Sequence, residues 1–271
     1  MSAESILRTL ANAPDLPEVM PALFIGHGNP MNAVEDSEFS KAWASEAASL
    51  PRPRAVLCIS AHWQTAGSRV TAMAQPKTIH DFYGFPEELF AKNYPAPGSP
   101  ELARLAQTAA RDHPVDLDQE WGLDHGTWSV LCRMYPAADI PVVQLSLDER
   151  KSPEAHYDLG RELASLRRKG VLIIGSGNIV HNLRSVAWSD TAYDWAVEFD
   201  GQVRDLILAG DHQSIIQYPG LGAAARKSVP TPEHYLPLLY VLAAQGQADR
   251  VKFFADKVTL GSISMRSVRL G

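Results

Sequence analysis

The sequence predicts an α/β fold, a single domain with a mixed, largely parallel central sheet flanked by helices. Three observations carry that expectation. Short aliphatic runs recur along the chain, several of them apolar throughout, as expected of strands covered on both faces. Segments with helical spacing alternate with them. No linker, low-complexity stretch or long-period repeat divides the 271 residues, a length one large domain can carry.

Taken in order, the strand segments are ALFI (22–25), AVLCIS (55–60), RVTAMA (69–74), PVVQLSL (141–147), VLIIG (171–175), RVKFFA (250–255) and SISMRSV (262–268). Between them, SPELARLAQTAARD opens with Ser99 as a cap and Pro100 in the first turn, the residue types that satisfy and pre-shape a helix start. SPEAHYDLGRELASLRRKG repeats the signal at Ser152 and Pro153 and stops at a basic turn followed by Gly170. TAYDWAVEFDGQVRDLILAG and PEHYLPLLYVLAAQG have helical spacing as well. The Pro- and Gly-containing span 78–100 is long for a plain connection and is expected to border a binding pocket as a lid.

Composition narrows the class of function. A formal net charge of -6 without a basic stripe argues against a nucleic-acid partner. No apolar run approaches the ~18 residues needed to span a bilayer. The N-terminal stretch has no basic start followed by an apolar block, so no secretion signal is expected. Cys58 and Cys132 sit in apolar surroundings and read as buried free thiols, which fits a cytoplasmic location.

The chemistry is expected at histidines that follow strands. His27 follows ALFI, between Gly26 and Gly28; His62 follows AVLCIS; His181 follows VLIIG in GSGNIVH. Open α/β sheets bind ligands outside the carboxyl ends of their strands, so parallel strands would bring these imidazoles to one edge. The two glycines are expected to clear room around His27. Neutral imidazole is a common metal ligand, and a site assembled from separate strand ends needs no compact motif. His125, in WGLDHGTWSVL, precedes a helix that Asp124 can cap, and His234 falls in the first turn of a helix after Pro232. Rival chemistries find less support. GHGN and GSGN do not continue as dinucleotide- or phosphate-binding loops, and no G-x-S-x-G elbow is present.

PALFIGHGNPM, CISAHW, GLDHGTWSVL, IIGSGNIVHNLR and PTPEHYLPL occur in one order over most of the chain. Together they resemble the class III extradiol ring-cleavage dioxygenases, in the branch of the LigB-like superfamily that cleaves DOPA at the 4,5 position. The resemblance implies a catalytic domain over residues 21–271 behind an N-terminal extension, 1–20, and insertion of both atoms of O₂ into a catechol beside its two hydroxyls. It implies His27, His62 and His234 as metal ligands. His181 is implied as an acid/base residue beside the metal that also ligates it when substrate is absent, and His125 as a second active-site residue that helps handle dioxygen or protons. Many extradiol enzymes use two histidines and one carboxylate. His234, with Glu233 beside it, departs from that pattern, and an all-histidine set suits Zn²⁺ as well as Fe²⁺.

His181 lies several residues beyond its strand and His125 has no strand-end partner, so His125 is expected outside the ligand set with His181 at its edge. Trp63, Tyr235 and Phe82 are candidates to line an aromatic-ring pocket. Two alternatives stand beside the dioxygenase: a zinc-dependent hydrolase on the same scaffold, and a metal-binding protein without catalysis. The chain is expected to act as a monomer or small homo-oligomer.

Overall fold

The aliphatic runs pair into a sheet whose central strands are buried along most or all of their length, as runs apolar on both faces require. In the computed structural model, which describes residue 10 and residues 14–271, the strands are β1 (Ala22–Gly26), β2 (Ala55–Thr65), β3 (Ser68–Thr71), β4 (Val115–Asp118), β5 (Val142–Asp148), β6 (Val171–Gly177), β7 (Val251–Phe254) and β10 (Ser267–Leu270). They form an eight-stranded sheet ordered β4-β3-β5-β2-β6-β1-β10-β7. A separate two-stranded sheet joins β8 (Val258–Thr259) to β9 (Ile263–Ser264). The central four strands, β5-β2-β6-β1, are mutually parallel, while β3 on β5, and β10 between β1 and β7, run antiparallel.

Successive residues of these strands point to opposite faces, and the core divides accordingly. Ala22, Phe24, Leu57, Ile59 and Ile173 pack on one side, with α3 (Pro100–Ala109), α5 (Pro153–Leu163), α6 (Asp194–Ala209) and α9 (Leu236–Ala243). Leu23, Ile25, Val56, Cys58, Leu172 and Ile174 pack on the other, with α1 (Glu38–Ala48) and α4 (His125–Met134). The short helices are α2 (Glu87–Ala91), α7 (His212–Ile216) and α8 (Ala223–Ser228). Ser99 and Ser152 cap their helices as expected, accepting from Leu102 N–H and Ala155 N–H.

Several boundaries depart from the sequence reading. RVTAMA shortens to β3, and VDLD, too short and too charged to read as a strand, pairs in parallel with β3 as the edge strand β4. SISMRSV divides between β9 and β10. The strand AVLCIS runs on through His62 to Thr65, so His62 lies within β2 rather than after it. Of the expected N-terminal extension, residues 1–9 and 11–13 lie outside the described residues. Leu10 is buried in the core, and Leu16 and Met20 donate their N–H groups to Arg168 and Arg167 carbonyls. No helix among the described residues is long and apolar enough to cross a membrane.

Candidate metal and active site

β1, β2 and β6 run parallel, so their carboxyl ends lie on one edge. His27 leaves β1 there, its N–H bonded to the Gly177 carbonyl at the end of β6. His62 reaches the same place through an irregularity. Between Ile59 and Gln64 of β2, four residues stand opposite the single Ser146 of β5, and this bulge re-aims the strand. His234 comes from the turn before α9, slightly ahead of the helix it was expected to open. The turn is tied down because the His234 carbonyl accepts Asn178 N–H at 2.8 Å. Gly177 permits the approach, since a Cβ there would lie 2.1 Å from the His234 carbonyl oxygen.

The imidazoles converge. His27 Nε2 lies 3.1 Å from His62 Nε2, and the ring centroids of His27, His62 and His234 are 4.9–5.3 Å apart. Two of the far nitrogens are held, those of His27 and His234. Ser176 Oγ gives its one proton to the Gly126 carbonyl, so at 2.9 Å from His27 Nδ1 it must accept. Nδ1 therefore carries the His27 proton and Nε2 is left as a lone pair. Glu233 Oε1 does the same for His234 Nδ1 at 3.0 Å, leaving His234 Nε2 buried with no hydrogen-bond partner. Such outer partners orient metal-binding imidazoles. Burial, and then the proximity of the other histidines, lowers the pKa of His27, His62 and His234 well below the ordinary value. Neutral rings aiming lone pairs at one volume fit a divalent cation, and a 3.1 Å separation suits two nitrogens each about 2.0–2.1 Å from one ion.

His181 is not in that trio. Its ring stacks on His234 and lies within reach of Glu233 and His234. Burial, with His125 nearby, holds its pKa down to about 4. His125 is the first residue of α4, capped by Asp124 as the sequence suggested, since the Asp124 carboxylate accepts Thr127 N–H. Its ring centroid is 3.8 Å from that of His62.

Behind these rings Asp124 accepts Ser60 Oγ–H at 2.7 Å and a short hydrogen bond from Gln144 Nε2. Burial and then the negative charge of Asp81 push its pKa to about 6. Ser60 and Ser176 thus donate to fixed acceptors, the Asp124 carboxylate and the Gly126 carbonyl.

Two expectations are corrected. Gly26 and Gly28 do not clear ligand space. A Cβ on Gly26 would lie 2.6 Å from the Met265 backbone, and one on Gly28, at φ +57, would meet the Met265 thioether, so both admit the segment before β10. Of the three proposed ring-lining aromatics only Phe82 faces the site, 5.6 Å from His125. Tyr235 is in the core against Tyr218 and Phe199, and Trp63 is buried and stacks on Trp121.

The residue missed is Asp81. It sits in the 78–100 span, which does border the site, and its carboxylate lies 3.0 Å from His125 Nδ1 and 3.7 Å from His62 Nδ1. Burial acts to raise its pKa, but the contacts with His125 and His62 prevail and lower it. It is the one acidic residue in TIHDFYGFP, a signal available in a span already marked as a lid.

An open α/β sheet whose parallel strand ends gather neutral imidazoles defines a candidate mononuclear metal enzyme. The model of the catalytic LigB subunit of aromatic ring-opening dioxygenase matches residues 21–271, and the chain belongs to that family. It is similar to a 4,5-DOPA dioxygenase extradiol of Escherichia coli (strain K12), 47% identical over 93% of this chain and 95% of that protein. A protein of the same name from Beta vulgaris is 37% identical over 93% of this chain and 96% of its own length. A crystal structure of an uncharacterized protein from Escherichia coli K12 superposes with a TM-score of 0.82 at 43% identity, covering 93% of this chain and 100% of that one. The chain is therefore an extradiol aromatic ring-opening dioxygenase, and neither the hydrolase nor the non-catalytic alternative is favoured.

Proposed function

We propose that this enzyme opens a catechol such as DOPA with one divalent ion held by His27, His62 and His234 through their Nε2 atoms. Iron(II) is the ion for turnover, and Zn²⁺ is a second ion the all-imidazole set accepts. The observation that carries the reading is the convergence of three neutral rings, two of them with Nδ1 engaged by Ser176 and Glu233. Reading His234 as the third ligand, in place of a carboxylate, leaves Glu233 to orient it. When bound, iron(II) supplies a binding position for the two catechol oxygens and for dioxygen, and a route for electrons between them.

The protein supplies the rest. His181, kept neutral at physiological pH, takes a proton from a ring hydroxyl. His125, its ring centroid 3.8 Å from that of His62, handles the second proton. Phe82, against His125, packs on the edge of the aromatic substrate and keeps water away. Residues 21–271 form the catalytic domain behind an extension of residues 1–20. Two buried, unpaired cysteines fit a reducing cytoplasm.

The test is to load metal-free protein anaerobically with Fe²⁺, add a catechol panel including DOPA, and follow oxygen uptake and yellow semialdehyde products. Uptake with catechols and none with singly hydroxylated analogues is expected. No uptake with any catechol would overturn the reading.

A further inference from the structure

We propose that Asp81 is a positioning residue for ring opening, holding His125 in one orientation and one tautomer from the loop that covers the site. The proposal rests on the reading of His125 as a proton-handling residue.

The carboxylate meets His125 at two points, a backbone hydrogen bond and a close approach to the ring. Asp81 Oδ1 accepts the His125 backbone N–H at 2.9 Å, and Oδ2 lies 3.0 Å from Nδ1 of the ring. A carboxylate only accepts, so the nitrogen beside it is the one that carries a proton, and Nε2 keeps the lone pair. His125 is 6% exposed, which leaves little room for water to replace this partner. The ring contact lies off the N–H direction, a misalignment common before a substrate tightens a site.

The loop's anchoring makes the grip specific. Ile79 N–H donates to the Leu123 carbonyl at 2.7 Å, and Leu123 N–H to the Lys77 carbonyl at 2.9 Å, so the chain entering the loop lies alongside the chain entering α4. Trp128, one turn into α4, donates its ring N–H to the Ile79 carbonyl at 2.8 Å. Asp81 follows two residues later and meets the first residue of the helix. It also places a negative charge at the amino end of α4, where the helix dipole favours one. The distance of 3.7 Å to His62 Nδ1 is beyond a hydrogen bond, so His125, rather than the ion-holding histidine, is the ring partner.

The experiment compares wild type, Asp81→Asn, Asp81→Glu, His125→Gln and the Asp81→Asn/His125→Gln double variant. Ring tautomers are read by ¹H–¹⁵N imidazole correlation spectra with and without Zn²⁺. Metal content, kcat and KM are measured after Fe²⁺ loading. The wild-type spectrum is expected to show His125 protonated at Nδ1, and Asp81→Asn to lose that state. Asp81→Asn should lower kcat about 10–100-fold with a smaller change in KM, keep its metal, and add little to the loss in His125→Gln. Asp81→Glu should recover part of kcat. An unchanged His125 tautomer in Asp81→Asn would overturn the proposal, as would full additivity in the double variant or metal loss matching His62→Ala. If wild type consumes no oxygen with catechols, the functional reading fails, and the spectra still decide whether Asp81 fixes His125.

Discussion

His181 lies flat against His234, with ring centroids 3.4 Å apart and planes 9° from parallel. The stack sets His181 beside the three converging imidazoles without making it a fourth. Within the stack His234 Nε2 stays buried without a hydrogen-bond partner.

The stack gives the first expectation. His181→Gln should retain the ion while turnover falls by ~10²–10⁴-fold, because the side chain stays polar but no longer carries a proton. Metal stoichiometry and single-turnover rates check this together. Metal loss as complete as in His27→Ala would make His181 an obligatory ligand.

His27→Ala, His62→Ala and His234→Ala should each lose most of the bound ion. Each removes one of the three nitrogens that lie within 4.8 Å of one another. Metal analysis of the purified variants is the measurement, and full retention in His27→Ala and His62→Ala would dismiss the ligand set.

Gly177→Ala should weaken metal binding without altering any ligand. The new methyl would sit 2.1 Å from the His234 carbonyl oxygen, so the turn must move and carry the ring with it. Overpacking of this kind costs typically 1–3 kcal/mol. A titration with Zn²⁺ and a thermal melt separate the local effect from general loss of fold, and wild-type affinity would show that the turn absorbs the methyl.

Away from the site, His156 should make the protein acid-sensitive. It is wholly buried, with Nδ1 on the Tyr240 hydroxyl, and burial, followed by the charge of Lys151, lowers its pKa from 6.5 to about 4. Above pH 6.5 the ring is neutral whether the chain is folded or not. As pH falls toward 4, the unfolded chain gains a proton that the folded one refuses, so stability drops, by up to about 3 kcal/mol. Melting curves of wild type and His156→Gln between pH 7.5 and 4.5 should diverge in slope, the variant being flatter. Parallel curves would mean that the ring titrates alike in both states.

Phe82→Ala should raise KM for catechols more than it changes metal content. Phe82 packs on His125 and on Phe85 and Phe90 of the same loop. Equal effects on both quantities, or on neither, would argue against a lid role.

The sequence by itself determined the layers and most of the chemistry. Strands apolar on both faces need helices on both, and histidines directly after such strands share an edge if the strands run parallel. His27 illustrates this fully, since it needs nothing beyond the end of β1. His62 was legible as a residue but not as a position, because whether a strand stops or bulges depends on what it pairs with, here β5. The glycines flanking His27 were legible as a demand for space, but which atoms claim the space was decided by Met265, more than two hundred residues away. Tyr235 and Trp63 failed as pocket residues for a similar reason, as an aromatic ring reads the same whether it faces ligand or core. Asp81, Ser176 and Glu233 are brought to the histidines only by the fold. Each acts by accepting a hydrogen bond or facing a ring nitrogen, and such contacts are fixed by distances of about 3 Å, which sequence spacing does not encode across loops.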